Sequence, residues 1–256
     1  MNSPINPFYA ARQAGRSATI APEPRRPVYA KLPLAPITGS PVPELTSLYH
    51  NPEPGPYGNR RYPGNCSGNL IRDLLRYFSP RKVFDPMTGS GTCRDVCQDL
   101  GIECWSGDIH DGFDLCDPLH FHGTAKLLHS ESFDFAWIHP PYWRQKRYAD
   151  DPRDLSREPT LEAFLARYRL ALANCVHVLQ PGGKLAVLMG DYTDREEGFV
   201  PLTFHTKRLA FDLGLRQCGT DIVRFSHGAS SSRKVYQSSF IPGLHDILAV
   251  FEKPSS

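Results

Sequence analysis

An α/β fold built on a mostly parallel sheet is what this sequence predicts, on three observations. Short apolar stretches alternate with helical patterns from residue 67 onward. Glycine-rich or Pro-Gly turns separate them at GSG and QPGG. The chain has 256 residues, 40% of them hydrophobic, which is enough to bury one main core with a small appendage.

The elements follow in order. Of 24 prolines, 13 fall within residues 1–63, beside seven Arg or Lys and three acids. Proline lacks the N–H that helices and central strands need, so residues 1–61 read as a Pro-rich basic extension. It is either a disordered arm or a strap docked through apolar residues such as Leu45 and Leu48. Residues 62–256 read as the main folded domain. Ser67 suits the cap of a helix whose Leu70, Ile71, Leu74, Leu75 and Phe78 share one face. A strand at KVFDP, a glycine turn and a helix near 92–100 ending at Gly101 come next. Strands are then expected at IECWSGDI, at the short GFDLC (112–116), and at FDFAWIH (133–139). A long amphipathic helix near 161–179 leads through QPGG into KLAVLM. A helix at 202–213 and strands at 216–225 and DILAVFE complete the pattern, seven strands in all. Such alternation covers the sheet on both faces and puts ligands at the carboxyl ends of its strands.

Charge and cysteine usage bound the function. A net charge of +2 and a pI near 8.2 are too mild to imply a polyanionic partner, so nucleic-acid binding requires a local patch. The seven cysteines (66, 93, 97, 104, 116, 175, 218) show no CxxC pair, which predicts a reduced, cytoplasmic setting and no metal. The N-terminus lacks a signal-peptide core, and no apolar run approaches the roughly 20 residues that span a bilayer.

Two sites stand out. In FDPMTGSGT, Gly89, Ser90 and Gly91 lie between a strand and a helix, where glycine lets the backbone approach a ligand closely. Asp108 follows Gly91 by 17 residues, at the end of the next strand, where a carboxylate accepts from ribose hydroxyls. Neither GxGxxG nor GK[ST] is present, so an adenosine cofactor without a large phosphate group is favoured. Asp114 either accepts from the adenine amino group or starts the turn before Pro118. The second site is AWIHPPYW. Pro140 and Pro141 make a rigid corner at a strand's end. An exocyclic amino group on a nucleobase is a poor nucleophile, because its lone pair is delocalised. The Pro140 carbonyl and the His139 ring are placed to hold its hydrogens, and Tyr142 offers a face for the base.

DPMTGSGT, a strand-end acid and IHPPYW together resemble the S-adenosylmethionine-dependent amino-methyltransferases of DNA. Their motifs read DPFxGSGT and Asp, Asn or Ser before Pro-Pro-aromatic. YPGN, NLIRDLL, QPGGKLAVLMGD and HDILAVFEK are similar to other parts of that family, over residues 62–253. The resemblance implies a Rossmann-like class I methyltransferase fold with an antiparallel last strand. It implies a cofactor site at Asp85, Pro86, Met87, Gly89, Ser90, Gly91, Thr92, Asp108, Ile109 and Asp114, and catalysis at His139, Pro140, Pro141 and Tyr142. DNA is the expected partner, with a base flipped for methylation and adenine preferred over cytosine. RNA, or a protein glutamine, is the alternative substrate, and an inactive cofactor-binding module a third reading. Two departures are Met87 for the usual Phe and His139 for the usual Asp, Asn or Ser. An unperturbed histidine has a pKa near 6.5, so activity is expected to fall through roughly that pH. WRQKRY (143–148) interleaves aromatics with Arg144, Lys146 and Arg147, and a Ser-rich loop carries Arg233 and Lys234; with Trp143, these are the expected nucleic-acid contacts.

Overall fold

The computed structural model describes residues 34, 36–51, 53, 55–62, 64–122, 127–225 and 243–255. Most of the Pro-rich extension, with its cations from Arg12 to Lys31, and the loop carrying Arg233 and Lys234 lie outside the described residues. In chain order the elements are β1 (Leu48–Tyr49), α1 (Gly68–Phe78), β2 (Lys82–Asp85), α2 (Thr92–Leu100), β3 (Glu103–Ser106) and β4 (Phe133–Ile138). There follow α3 (Leu161–Val178), β5 (Leu179–Met189), β6 (Tyr192–Asp194), β7 (Gly198–Val200), α4 (Leu202–Asp212), β8 (Arg216–Gln217), β9 (Ile222–Phe225) and β10 (His245–Glu252).

The main sheet runs β1-β9-β10-β5-β4-β2-β3, with β8 also on β10. Strands β3, β2, β4 and β5 are parallel, whereas β10 is antiparallel to β5, β8 and β9. This is a Rossmann-like α/β sheet, mostly parallel, with antiparallel pairing at β10. The burial of β4 explains why both faces need helices: every residue except Asp134 is buried. Ala136 and Ile138 join Phe84, Leu185 and Val187 in a core beneath α3 and α4. Phe135 and Trp137 point the other way, to Val83, Ala186 and Leu188 beneath α1 and α2.

The expected helices are present within a residue or two of their predicted ends. Gly101 closes α2 at φ +68, and Thr160 caps α3 by accepting from the Ala163 amide at 3.1 Å. Ser67 takes the cap position of α1 without a side-chain capping bond.

Three expectations are corrected. The stretch GFDLC is no strand. The Phe113 amide returns to the Asp108 carbonyl at 3.0 Å, and Asp114 Oδ1 accepts from the Cys116 amide at 2.8 Å, so the chain turns there. Phe113, Leu115 and Cys116 are nonetheless buried, which is the apolar signal that resembled a strand. The stretch 216–225 divides into β8 and β9, because the Gln217 side chain bonds Gly219 O and Asp221 Oδ1 (both 2.9 Å) and shapes a turn between them. Among the described residues the main sheet has eight strands rather than seven. The last of them, β1, comes from the Pro-rich extension: Val42 and Tyr49 are buried, and the Tyr49 hydroxyl donates to the buried Asp73 at 2.8 Å. No helix among the described residues is long and apolar enough to cross a membrane.

Candidate functional site

Strand β2 lies between β3 and β4, pairing Asp85 with Ser106 on one side and Phe84 with Ala136 on the other. The loops after these three parallel strands therefore emerge at one edge. They line one cavity of about 880 Å³, open mouth included.

The glycine loop is a set of tight turns. Gly91 N–H bonds Thr88 O at 2.8 Å, and Thr88 N–H reaches across to Gly107 O at 3.2 Å. Gly89 (φ +51) and Gly91 (φ +82) occupy the left-handed region that favours glycine. A Cβ on Gly89 would stand 3.0 Å from the Tyr62 ring, so any side chain there would crowd that tyrosine. Asp108 is buried; its Oδ2 accepts from the Gly89 amide at 2.9 Å and its Oδ1 from the His110 amide at 3.1 Å. A carboxylate has about four acceptor positions, so capacity remains toward the cavity. Ser90 and Thr92 share a hydroxyl contact at 3.0 Å, and Thr92 donates to Asn65 Oδ1 at 2.6 Å, which ties YPGN down onto the loop.

Asp85 is sealed at 1% exposure and its Oδ2 accepts from Ser106 at 3.4 Å. Burial first, then the neighbouring Cys104, pushes its carboxyl up to about 8. Asp114 faces the cavity but is already committed: Arg167 lies 3.2 Å from its Oδ2, bridging it to Glu158 at 2.7 Å. The turn-forming reading of Asp114 is the one its hydrogen bonds realise.

Of the proposed cofactor residues, Asp85, Pro86, Met87, Gly89, Ser90, Thr92, Asp108, Ile109 and Asp114 line the cavity. His139 and Pro141 line the same space, while Gly91, Pro140 and Tyr142 do not. His139 Nε2 stands 3.1 Å from the Tyr142 hydroxyl. Burial first, and then the charge of Arg224, lowers the imidazole from 6.5 to about 4. The ring is neutral at physiological pH, and the expected titration near 6.5 is displaced downward. The Tyr142 ring rests on Gly190, where a Cβ would meet Tyr142 Cε2 at 2.5 Å.

Beyond the corner the expected contacts separate. Trp143 is fully buried with φ +46, and its Nε1 donates to Glu158 O at 2.9 Å. It has no open ring face for a base; its size and apolarity were better used in the core. Arg144 stacks over Trp143 at 4.3 Å and forks onto Asp194 at 3.0 and 2.7 Å, with Glu196 at 2.8 Å. It tethers the β6-β7 hairpin rather than presenting a charge to phosphate. Lys146 and Arg147 are exposed and have no ion pair among the described residues.

Several lining residues were missed from the sequence. Tyr62 and Tyr148, both on the cavity lining, stack with centroids 6.5 Å apart, and both belong to stretches already notable, YPGN and WRQKRY. Asp154 accepts from the Tyr148 and Ala149 amides at 3.2 and 2.8 Å, which folds the following loop over the site. Arg224 and Asp246 were not singled out as site residues in the sequence, because strand pairing brings them near His139.

No family model matches the chain, and no curated protein matches it. Among solved structures it is similar to a candidate DNA modification methylase from Thermus thermophilus, at 19% identity and a TM-score of 0.39, over 56% of this chain and 51% of that one. The chain thus spans about half the length of that relative, which has also been seen complexed with S-adenosyl-L-methionine. It is similar to a SAM-dependent methyltransferase from Archaeoglobus fulgidus at 15% identity and a TM-score of 0.44, over 73% of this chain and 95% of that one. A third similar structure, 1,6-didemethyltoxoflavin-N1-methyltransferase of Burkholderia thailandensis with S-adenosylhomocysteine, gives 12% identity and 0.44, over 73% and 78%.

Proposed function

We propose that this chain is an S-adenosylmethionine-dependent methyltransferase acting on the exocyclic amino group of a nucleic-acid base, DNA being the substrate. One observation carries the reading: Gly89 and Ser90 of the glycine loop, Asp108, and His139 and Pro141 of the corner line the same cavity at the ends of adjacent parallel strands.

The residues fit the cofactor. Gly89 offers bare backbone under Tyr62, Asp108 keeps acceptor capacity for a diol, and Phe113 supplies an apolar wall for an adenine. When bound, the cofactor supplies an electrophilic methyl group on a sulfonium. The chain's own residues do the rest. The neutral His139 ring, on the cavity wall, accepts one amino hydrogen; the other is assigned to the carbonyl of Pro140, which lies between the two lining residues His139 and Pro141, and together they turn the nitrogen lone pair toward the methyl. Tyr142, braced on Gly190, limits where the base can lie. Tyr62 and Tyr148, stacked on the cavity lining, narrow the space left to water. Lys146, Arg147, Arg233 and Lys234 are assigned to backbone phosphates.

The test is labelled methyl transfer from S-adenosylmethionine to DNA, RNA and protein in parallel, followed by nucleoside analysis. N6-methyladenine in DNA is the expected product, N4-methylcytosine would change the base, and label confined to RNA would change the substrate. Label in none of the three defeats the reading.

A further inference from the structure

Arg224 and Asp246 are direct cross-strand partners of β9 and β10. Arg224 Nη2 lies 2.7 Å from Asp246 Oδ2, with side-chain exposures of only 12% and 16%. The pair sits behind the catalytic corner. The Gly190 position that touches the Tyr142 ring is also 2.6 Å from Asp246 Oδ1, so this second oxygen lies beside the tyrosine, within hydrogen-bonding reach of its hydroxyl. On its other side the Tyr142 hydroxyl meets His139 Nε2 at 3.1 Å.

A phenol has one proton to give. Asp246 is ion-paired with Arg224, and a carboxylate is a stronger acceptor than a neutral ring nitrogen. The Tyr142 proton therefore goes to Asp246, and the phenol oxygen can only accept from His139. We propose that Asp246, acting through Tyr142, fixes the tautomer of His139 with the proton on Nε2, leaving Nδ1 as the bare acceptor for the substrate's amino hydrogen. Asp246, Arg224 and Tyr142 are then positioning residues; the last clause alone rests on the amino-methylation reading. The groups facing His139 are Arg224 on β9, Asp246 on β10 and Tyr142 beside it. The relay also explains how a histidine does the work of the usual Asp, Asn or Ser: it presents an acceptor, and a fixed hydrogen bond behind it prevents the ring from presenting a donor instead.

Nitrogen-15 NMR of the full chain labelled at histidine reads the tautomer directly, with His139→Gln assigning the signal. Wild type should show a protonated Nε2 and a bare Nδ1, unchanged from pH 8 to about 5.5. In Tyr142→Phe, and in the charge-balanced pair Asp246→Leu with Arg224→Met, which removes the carboxylate acceptor, the Nδ1-protonated form should become populated. Methyl transfer should fall at least tenfold in the charge-balanced variant, with S-adenosylmethionine affinity within about twofold of wild type. A wild-type ring protonated on Nδ1, or a tautomer indifferent to both variants, overturns the proposal. The expected NMR result in a protein that methylates no amine would instead leave the relay standing and defeat the functional reading.

Discussion

The Gly89 amide and the Asp108 carboxylate meet at 2.9 Å, and this bond holds the loop after β2 against the end of β3. Two backbone donors depend on Asp108, since His110 N–H uses its other oxygen. Asp108→Ala should therefore weaken S-adenosylmethionine binding by roughly 1.5–3 kcal/mol, the scale of hydrogen bonds to a charged group, and also lower the melting temperature. Calorimetry on the folded variant checks it. Unchanged affinity would remove Asp108 from the cofactor site.

Asp85 should make the protein less stable as pH rises. Its folded pKa of about 8 lies above the ordinary 3.8, so between those values the folded chain holds a proton that the unfolded chain has released. Stability is then highest below about 4 for this group and declines through 8. Asp85→Asn should remove that slope and raise stability near pH 7 by a few kcal/mol, an order-of-magnitude figure from 1.36 kcal/mol per unit. Urea denaturation of both proteins at pH 5, 6, 7 and 8 gives the comparison; parallel curves would show that Asp85 is ionised in the folded state.

Arg144 and its neighbours Lys146 and Arg147 should part company on mutation. Arg144→Ala breaks the fork to Asp194 and should destabilise by on the order of 1 kcal/mol, moderated because 28% of the side chain is exposed. Its effect on DNA affinity should be small. Lys146→Ala with Arg147→Ala should do the reverse, leaving the melting temperature alone and flattening the salt dependence of binding. Fluorescence anisotropy across a salt series, beside thermal melts, separates the two.

What was legible in the sequence follows from what each signal depends on. Helices α1 to α4 and strands β2 to β5 were readable because their apolar periodicity is set by burial against the sheet, a local pattern with one structural solution. The glycine loop and the Pro-Pro corner were readable because backbone geometry there demands those residue types. Trp143 and Arg144 were misread because composition cannot say which face of a ring or fork is turned inward. GFDLC was misread because a turn can bury Phe113, Leu115 and Cys116 as well as a strand can. Asp246 and Arg224 are 107 and 85 residues from His139, and only the register of β9 on β10 makes them neighbours of the site.

Trp143 joins a left-handed backbone to a fully buried ring, so the corner is held under strain by the packing around it. Trp143→Ala should cost about 3–5 kcal/mol through the cavity left behind. Trp143→Phe should cost less, about 1–3 kcal/mol, mostly from the Glu158 carbonyl losing its donor. Chemical denaturation measures both. A Phe variant as unstable as the Ala variant would mean that the hydrogen bond, and not the ring volume, holds the corner.

His139 sets the pH behaviour of both folding and chemistry. Its pKa falls from 6.5 to about 4 on folding, chiefly by burial, so from 6.5 down to 4 the unfolded chain takes up a proton that the folded chain refuses. Stability therefore drops as pH falls through that window, by on the order of 3 kcal/mol, and levels off below about 4. His139→Gln should lose this part of the pH dependence. For turnover, the neutral ring is the acceptor, so the acidic limb should lie well below 6.5, near 4 unless unfolding intervenes first. His139→Ala should remove most of the methyl transfer while leaving cofactor affinity nearly intact, since Asp108 and the glycine loop do not depend on it. Single-turnover rates from pH 5 to 8 should be nearly flat in wild type. A limb centred on 6.5 would mean that water reaches the ring and that the buried neutral histidine is wrong, and full activity in the Ala variant would mean that Pro140 and Tyr142 position the amino group without it.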